Sequence, residues 1–298
     1  MEERPPTGVA ADKAGMAWVW DGVRASVEEN ARLQPKWDIP DYVVIKADVG
    51  HTHRAAQVVK EAVAAVRAGA CAVHLHIVDE NGRDTGDIKA WRQVVEGIRA
   101  EVGDVLIDSG PRGATFDEQM ALVRSGLFDI IPISPNRDPR YVGPFLHGLE
   151  ANGVKTEIIV WDTTDILLAK TAYIESGLIQ TPIPWLLVPN SLYRGMPMPD
   201  PMFMAKGLVH MVELVRSVDP KGPIFVSACG RSSNYLAAMG LLLGLHVRPG
   251  VGETHWRYPH KDEVLTSNTL AIGEVATIAR TLGRNPTTAE EYRRLLSR

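Results

Sequence analysis

The sequence has few of the features that mark membrane, secreted or nucleic-acid-binding proteins. It contains only two cysteines, Cys71 and Cys229, and both lie in apolar segments where a buried, reduced thiol is expected. No run of about 18 apolar residues is present, so no membrane span is expected, and the opening MEERPPTGVA lacks the apolar core of a signal peptide. The formal net charge is −4 with both signs scattered, which argues against a nucleic-acid partner. These absences predict a cytoplasmic protein.

What the sequence does contain is a regular alternation of short apolar runs and longer segments of helical period. Hydrophobic residues make up 45% of the chain, which is enough for a large core. A helical segment follows each run, and glycine follows many of these segments, as at a helix C-cap. The predicted strands are DYVVIKADVG (41–50), CAVHLHIV (71–78), DVLIDSG (104–110), DIIPIS (129–134), KTEIIVWD (155–162), IPWLLVPN (183–190), PIFVSAC (223–229) and HVRPGVGE (246–253).

Eight strand–helix units in about 250 residues predict an α/β fold, a (β/α)8 TIM barrel over residues 41–298. A doubly wound open sheet is the main alternative, but it typically has a G-x-G-x-x-G turn after the first strand, and DVGHTHRA contains none. Residues 1–40 form an N-terminal extension. Within it, WVWDGVRASVEENARL (18–33) predicts an extra helix that packs on the barrel or on a partner subunit.

Two histidines interrupt the second predicted strand, with one leucine between them. Side chains at positions i and i+2 of a strand point the same way, so His74 and His76 are expected to face a common point. In a TIM barrel the active site lies at the C-terminal ends of the strands. Two imidazole nitrogens and one carboxylate make a metal site with an open position, and Glu253 can reach across the mouth as the third ligand.

A second histidine pair leaves another interpretation open. HTH at 51–53 follows the first strand, where amidohydrolases carry an H-x-H pair. That class also needs histidines at the ends of the fifth and sixth strands, where this chain has Asp162 and Asn190. A metal-dependent hydrolase is therefore kept as an alternative.

Four longer segments resemble the motifs of one enzyme family. They are AGACAVHLHIVDENGRDTGD (68–87), KTEIIVWD (155–162), ACGRSSNYLAAMGLLLGLHVRPGVGE (228–253) and the last helix, LTSNTLAIGEVATIARTLGRNPTTAEEYRRLL (265–296). In these segments the chain resembles the β-keto acid cleavage enzymes, whose founding activity is 3-keto-5-aminohexanoate cleavage. The resemblance runs from about residue 41 to the C-terminus and is far more specific than the H-x-H pair.

The resemblance implies a TIM-barrel transferase that binds zinc, or a similar divalent ion, through His74, His76 and Glu253. It implies that a β-keto acid and acetyl-CoA exchange parts in a retro-Claisen reaction, giving acetoacetate and a new acyl-CoA. It also implies a homotetramer.

The remaining site residues are assigned to roles in the same chemistry. Arg248 would stabilise negative charge near the metal, and the hydroxyls of Ser109 and Ser134 could donate to developing oxyanions. Arg112 and Arg231 are assigned to acetyl-CoA, which is the co-substrate.

The chain departs from the family pattern close to the metal site. Thr254 replaces the aspartate that is the family's expected base, and the Arg-to-Glu interval, RPGVGE, is one residue longer. We expect Gly250 or Gly252 to absorb the extra residue as a bulge. Val78 and Ile159 replace an arginine and a glutamate of the family motifs.

These departures put the identity of the base in question. We predict Glu157 as the base, with Asp48 and His255 as alternatives. A barrel that keeps the metal, has lost the base and only binds an acyl-CoA or a keto acid is the third interpretation.

Overall fold

The computed structural model describes residues 24, 26–50, 54–110, 115–189 and 200–297. The chain divides between Ile39 and Pro40 into two units. In the first unit, residues 26–33 form helix α1 within the predicted helical segment, and their side chains are exposed. The docking of this helix on the barrel or on a partner stays a prediction.

The eight apolar runs of the second unit form one parallel sheet whose strands pair in chain order. A parallel bridge between Ile45 and Val247 brings the last strand back to the first, so the sheet is a nearly closed barrel. The predicted TIM-barrel fold is confirmed. A two-residue strand, β1 (Tyr42–Val43), precedes the barrel strands, which are β2 (Lys46–Asp48), β3 (Ala72–His74), β4 (Leu106–Asp108), β5 (Ile130–Ile133), β6 (Lys155–Val160), β7 (Trp185–Leu187), β8 (Ile224–Val226) and β9 (His246–Val247).

Helices cover the outside of the barrel and bury the outward-facing strand residues. Their starts follow local capping signals: the Thr115 hydroxyl accepts from the Glu118 N–H in a capping box, and the Asp87 carboxylate accepts from the Lys89 N–H. A π-helical turn, Ala169–Ile174, continues α6, and a 3-10 turn, Gly230–Ser232, precedes α8. The helices are α2 (Ala55–Ala68), α3 (Ile88–Val102), α4 (Phe116–Arg124), α5 (Pro139–Ala151), α6 (Thr163–Leu168), α7 (Pro201–Val218), α8 (Ser233–Leu242) and α9 (Asn268–Thr281).

The C-terminal segment differs from the single last helix that we expected over 265–296. Helix α9 ends before Gly283, whose φ of 75° is left-handed, and a short strand β10 (Asn285–Pro286) then pairs with β1. Helix α10 (Ala289–Leu296) follows. Its Tyr292 is fully buried and packs with Phe225 in an apolar cluster of inward-facing strand residues.

That apolar cluster occupies the part of the barrel near the N-terminal ends of the strands, because Ala72, Leu106 and Ile130 begin their strands. Polar inward-facing residues are thereby left for the C-terminal ends. None of the described helices is long and apolar enough to cross a membrane.

Candidate active site

A cavity of about 160 Å³ lies at the C-terminal ends of the barrel strands. This is the end of the barrel at which the sequence predicted a site. Seven of the eight barrel strands, β3 to β9, contribute residues to its wall, either from the strand itself or from the loop that follows it. The lining residues are His74, His76, Gly110, Pro132, Ser134, Arg137, Ile159, Trp161, Val188, Cys229, Arg248, Gly252 and Glu253.

The two histidines of the second predicted strand do meet. His76 lies two residues beyond the end of β3, yet its Nε2 is 3.1 Å from the Nε2 of His74, and both side chains are buried. The Nδ1 of His74 lies 3.2 Å from Oδ1 of Asp108, and neither of these two buried atoms has another partner. A proton on Nδ1, facing this carboxylate, would leave the Nε2 lone pair of His74 directed at the cavity.

Glu253 reaches the same wall from a turn that follows β9, not from a strand. Its N–H donates to the Gly250 carbonyl over 3.1 Å. Its Oε1 accepts from Nε and Nη2 of Arg248 at 3.0 and 2.7 Å, and its Oε2 accepts from Sγ of Cys229 at 3.5 Å. With Glu253 so oriented, the described part of the chain shows no preformed cluster of three metal-ligand side chains.

Two glycines make the turn possible. Gly250 has a φ of 153°, and a Cβ there would lie 2.0 Å from the Asp48 carbonyl oxygen. A Cβ on Gly252 would lie 1.8 Å from Oδ1 of Asp48. The longer Arg-to-Glu interval is therefore accommodated by a turn packed against Asp48, and not by a bulge within a strand.

A buried ionic cluster lies beside His74, and the sequence reasoning did not foresee it. Nζ of Lys46 donates to Oδ2 of Asp108 at 2.9 Å and to both oxygens of Glu157 at 2.7 and 2.8 Å. All three side chains are 0% exposed. Lys46 begins β2 and lies two positions before Asp48, so both side chains are on the same face of the strand. A lysine within the apolar run DYVVIKADVG was the available signal, because lysine is rarely buried without a partner.

The cluster shifts the two carboxyl groups in opposite directions. Burial alone raises the pKa of Asp108, but the Lys46 ammonium and, after it, the contact with His74 outweigh burial and hold that pKa well below its usual range. Burial raises the pKa of Glu157, and although Lys46 opposes this, Asp108 adds to it. Glu157 is therefore the group of this cluster most readily protonated.

Of the five predicted catalytic residues, Arg248 and Ser134 line the cavity. The other three are engaged elsewhere. The Ser109 hydroxyl donates to the Leu75 carbonyl at 2.6 Å. The Thr254 hydroxyl donates to the Trp256 carbonyl at 3.0 Å and accepts from the Trp256 N–H at 2.9 Å. Glu157 is held by Lys46, and neither it nor the alternative bases Asp48 and His255 are among the lining residues.

The predicted acetyl-CoA contacts are placed only in part. Arg112 lies outside the described residues, as do the alternative metal pair His51 and His53. Arg231 donates to the Lys261 carbonyl at 3.0 Å, pairs with Asp262 and stacks 4.0 Å above the Trp256 ring. It is thus attached to the loop after β9 and not to the cavity wall.

Two further predictions can be placed from the same contacts. The Asp162 carboxylate, considered for the hydrolase interpretation, accepts from the Asp165 N–H and caps α6, while Asn190 lies outside the described residues. Cys71 is buried as expected. Cys229 is only partly buried and lines the cavity, where burial, followed by Glu253, raises the pKa of its thiol to about 12.

Comparison with known proteins agrees with this architecture. The chain matches the family model "beta-keto acid cleavage enzyme" over residues 53–297. The chain belongs to this family.

The relatives include the 3-keto-5-aminohexanoate cleavage enzyme of Fusobacterium nucleatum subsp. nucleatum, which is 30% identical over 258 residues, 81% of this chain and 88% of that protein. The 3-oxoadipate:acetyl-CoA acetyltransferase of Cupriavidus necator is 25% identical over 249 residues, 80% of this chain and 84% of that protein. Among solved structures, apo ObcA has a TM-score of 0.69 at 17% identity. The alignment covers 83% of this chain but 65% of ObcA, and it shows a shared fold only.

Proposed function

We propose that this family enzyme exchanges the acyl part of a β-keto acid with the acetyl group of acetyl-CoA, using a divalent metal ion, zinc in the first instance, held by His74, His76 and Glu253. The products are an acyl-CoA and acetoacetate. Family membership and the acetyl-CoA named for the Cupriavidus necator relative support the reaction. The observation that carries the metal assignment is the pair of buried imidazoles whose Nε2 atoms converge at the cavity wall.

The imidazole geometry suits one shared ion. Two nitrogens bound to zinc at about 2.0–2.1 Å, at an angle between 90° and 110°, lie roughly 2.8 to 3.4 Å apart. The observed separation of 3.1 Å falls inside that interval. If each Nδ1 carries the ring proton, two Nε2 lone pairs face each other in a buried place, which is unfavourable unless a cation or a proton lies between them.

The charge of the barrel interior also suits a dication. Two buried cations, Lys46 and Arg248, face four buried carboxylates, those of Asp48, Asp108, Glu157 and Glu253. Arg248 interacts with all four, so these charges belong to one cluster. With the histidines neutral and every acid ionised, the interior carries a net charge of −2. A divalent ion balances this charge, which is costly to leave uncompensated away from water.

The metal would act as a Lewis acid that polarises the ketone of the keto acid. A proton leaves the carbon between the ketone and the carboxylate, and that carbon attacks the acetyl thioester, which expels CoA thiolate. The thiolate then adds to the original ketone carbon, whose bond to the carbon that attacked the thioester breaks, and the released acetoacetate carbanion takes a proton.

The chain's own residues support these steps by charge and position. Arg248 keeps the Glu253 carboxylate in place and sets a cation beside the negative charge that develops when the proton leaves. Ser134 lines the wall, and its hydroxyl donates to Oδ1 of Asn136 at 2.5 Å, so it can turn to an oxyanion only by leaving this partner.

The assignment of Glu157 as the base stays a prediction. Its raised pKa is a property of a good general base, but both of its oxygens accept from Lys46 and it does not line the cavity. A direct role requires Lys46 to release it. The tetramer also stays a prediction.

The proposal is tested first by metal content. Purified protein should hold about one zinc-like ion per chain, and His74→Ala or His76→Ala should each lower occupancy sharply, because each removes one of three protein ligands. The matched control is His210→Ala, since His210 is exposed on α7 and away from the cavity wall. Turnover is measured as acyl-CoA formed from acetyl-CoA and a panel of β-keto acids, read by mass spectrometry.

The metal assignment is wrong if purified wild-type protein contains no metal and added ions neither bind to it nor activate it. Bound metal without acyl-CoA from any keto acid would instead favour a barrel that binds its ligands without turnover.

A further inference from the structure

The cavity has two chemically different walls. His74 ends β3 and His76 follows it, while Arg248 and Glu253 follow β9, and these two strands flank β2 in the barrel. The opposite wall comes from β5, β6 and β7 and is mostly apolar, with Pro132, Ile159, Trp161 and Val188 beside the polar Ser134 and Arg137. A β-keto acid that presents its ketone and carboxylate to the histidine side must therefore direct its tail towards an apolar surface.

The wall of the cavity that faces the substrate tail carries a positive charge without a matching carboxylate among the described lining residues. Glu253 is the one carboxylate among the lining residues that the structure describes, and Arg248 already occupies it. Arg137 also lines the cavity, and its guanidinium lies 5.6 Å from the centre of the Tyr141 ring. Across the described ranges no Asp or Glu forms an ion pair with Arg137.

The three internal segments outside the described residues cannot supply the missing carboxylate. Residues 51–53, 111–114 and 190–199 contain no Asp or Glu, whereas they contain Arg112 and Arg194. Among the lining residues that the structure describes, a positively charged tail would consequently meet apolar side chains and a guanidinium, and no carboxylate other than that of Glu253, which Arg248 already binds. A negatively charged tail end would meet a guanidinium able to donate two parallel hydrogen bonds to it.

We propose that the substrate is a β-keto acid with a short apolar spacer and a second carboxylate, and that Arg137 binds this second carboxylate. This rests on the proposed function. Arg137 is the specificity-determining residue, and Ile159 helps by denying a cationic tail its counter-ion.

Three keto acids of equal chain length separate the possibilities. They are 3-oxoadipate, with a carboxylate at the tail, 3-oxohexanoate, with an uncharged tail, and 3-keto-5-aminohexanoate, with an ammonium group. With acetyl-CoA and zinc present, kcat/KM for acyl-CoA formation should fall in that order. The Arg137→Gln variant should reduce the ratio of kcat/KM for 3-oxoadipate over 3-oxohexanoate by roughly 10- to 100-fold, the cost of losing charged hydrogen bonds.

Arg140→Gln is the matched control. Arg140 is three residues along the same segment, its side chain is 91% exposed and paired with Asp138, and it does not line the cavity, so the ratio should not change. A second variant, Ile159→Glu, should raise the relative kcat/KM of the ammonium substrate, because it adds a carboxylate to the apolar wall.

Preference of the wild type for the ammonium substrate overturns the inference and leaves the proposed function intact. The inference is also overturned if Arg137→Gln leaves the ratio of kcat/KM for 3-oxoadipate over 3-oxohexanoate unchanged. It is overturned as well if the variant raises KM for acetyl-CoA by the same factor with every keto acid, since the guanidinium would then bind CoA. Absence of acyl-CoA from all three acids and from a wider panel, with zinc bound, overturns the proposed function as well.

Discussion

Lys46 offers the sharpest test of the ionic interior, because one substitution removes one of its two cations. Lys46→Met keeps an unbranched side chain as far as Cε and removes the ammonium, so three contacts of 2.7 to 2.9 Å to Asp108 and Glu157 are lost. All three groups are 0% exposed, so water cannot replace the ammonium without rearrangement. Breaking a buried ion pair from one side typically costs about 3–5 kcal/mol, which we expect for the metal-free protein.

Metal should reduce this loss. Without Lys46 the interior has Arg248 against four carboxylates, so a dication is attracted more strongly than in the wild type. Zinc that binds the native state stabilises it, by an amount that grows with the logarithm of the zinc concentration divided by Kd. The free energy of unfolding, measured by urea denaturation with and without zinc, should therefore fall less in the zinc-loaded variant than in the metal-free one.

The companion variant is Lys46→Met/Glu157→Gln, which removes one negative charge together with the positive one. It should be more stable than Lys46→Met alone, because Glu157 and Asp108 no longer repel each other unscreened. The reasoning is refuted if Lys46→Met costs less than about 1 kcal/mol, a typical value for a surface pair. It is equally refuted if the double variant is no more stable than the single one, or if zinc leaves the loss unchanged.

Two other groups give independent predictions. Arg248→Ala should lower kcat about 100-fold while zinc stays bound, because one electrostatic stabiliser is removed. Arg248→Lys should recover only part of the loss, since lysine lacks the planar guanidinium. An unchanged kcat would show that Arg248 has a structural role only. The second prediction concerns His246, whose neutral ring accepts a hydrogen bond from the Val44 N–H at 3.1 Å. Burial, helped by the charge of Arg284, lowers the pKa of His246 from 6.5 to about 3. The unfolded chain therefore binds more protons than the folded one between about pH 6.5 and pH 3. The stability that the neutral ring supplies is full above pH 6.5 and is lost as the pH falls through this window. The free energy of unfolding falls by at most about 5 kcal/mol as a result. In urea denaturation at pH 7 and pH 4.5, His246→Asn should show a smaller loss of stability on acidification than the wild type, and an equal loss in both proteins contradicts the assignment.

The fold was predictable because a parallel barrel repeats one local signal. Strands buried on both faces are short continuous apolar runs. The segments of helical period after the second and sixth runs, IKAWRQVVEGIRAEV (88–102) and PMFMAKGLVHMVELVRSV (201–218), coincide with α3 and α7. The pairing of His74 with His76 was also predictable, since it depends only on the alternation of side chains along one segment. The sequence predicted a strand over HVRPGVGE, whereas β9 contains only its first two residues. The error came from the two glycines, which permit a turn that the apolar pattern does not reveal.

The ionic cluster and the walls of the cavity depend instead on which positions of different strands lie at one height in the barrel. Lys46, Asp108 and Glu157 come from β2, β4 and β6, and their meeting requires the inter-strand register, which no single segment contains. The same register decides that Glu157 faces Lys46 while Ile159, two residues further along β6, lines the cavity. Glu157 lies within KTEIIVWD, one of the segments that resemble the family motifs, and its assignment as the base stays a prediction. One inward-facing position along β6 therefore separates a residue that lines the cavity, Ile159, from one that Lys46 holds in the ionic cluster, Glu157.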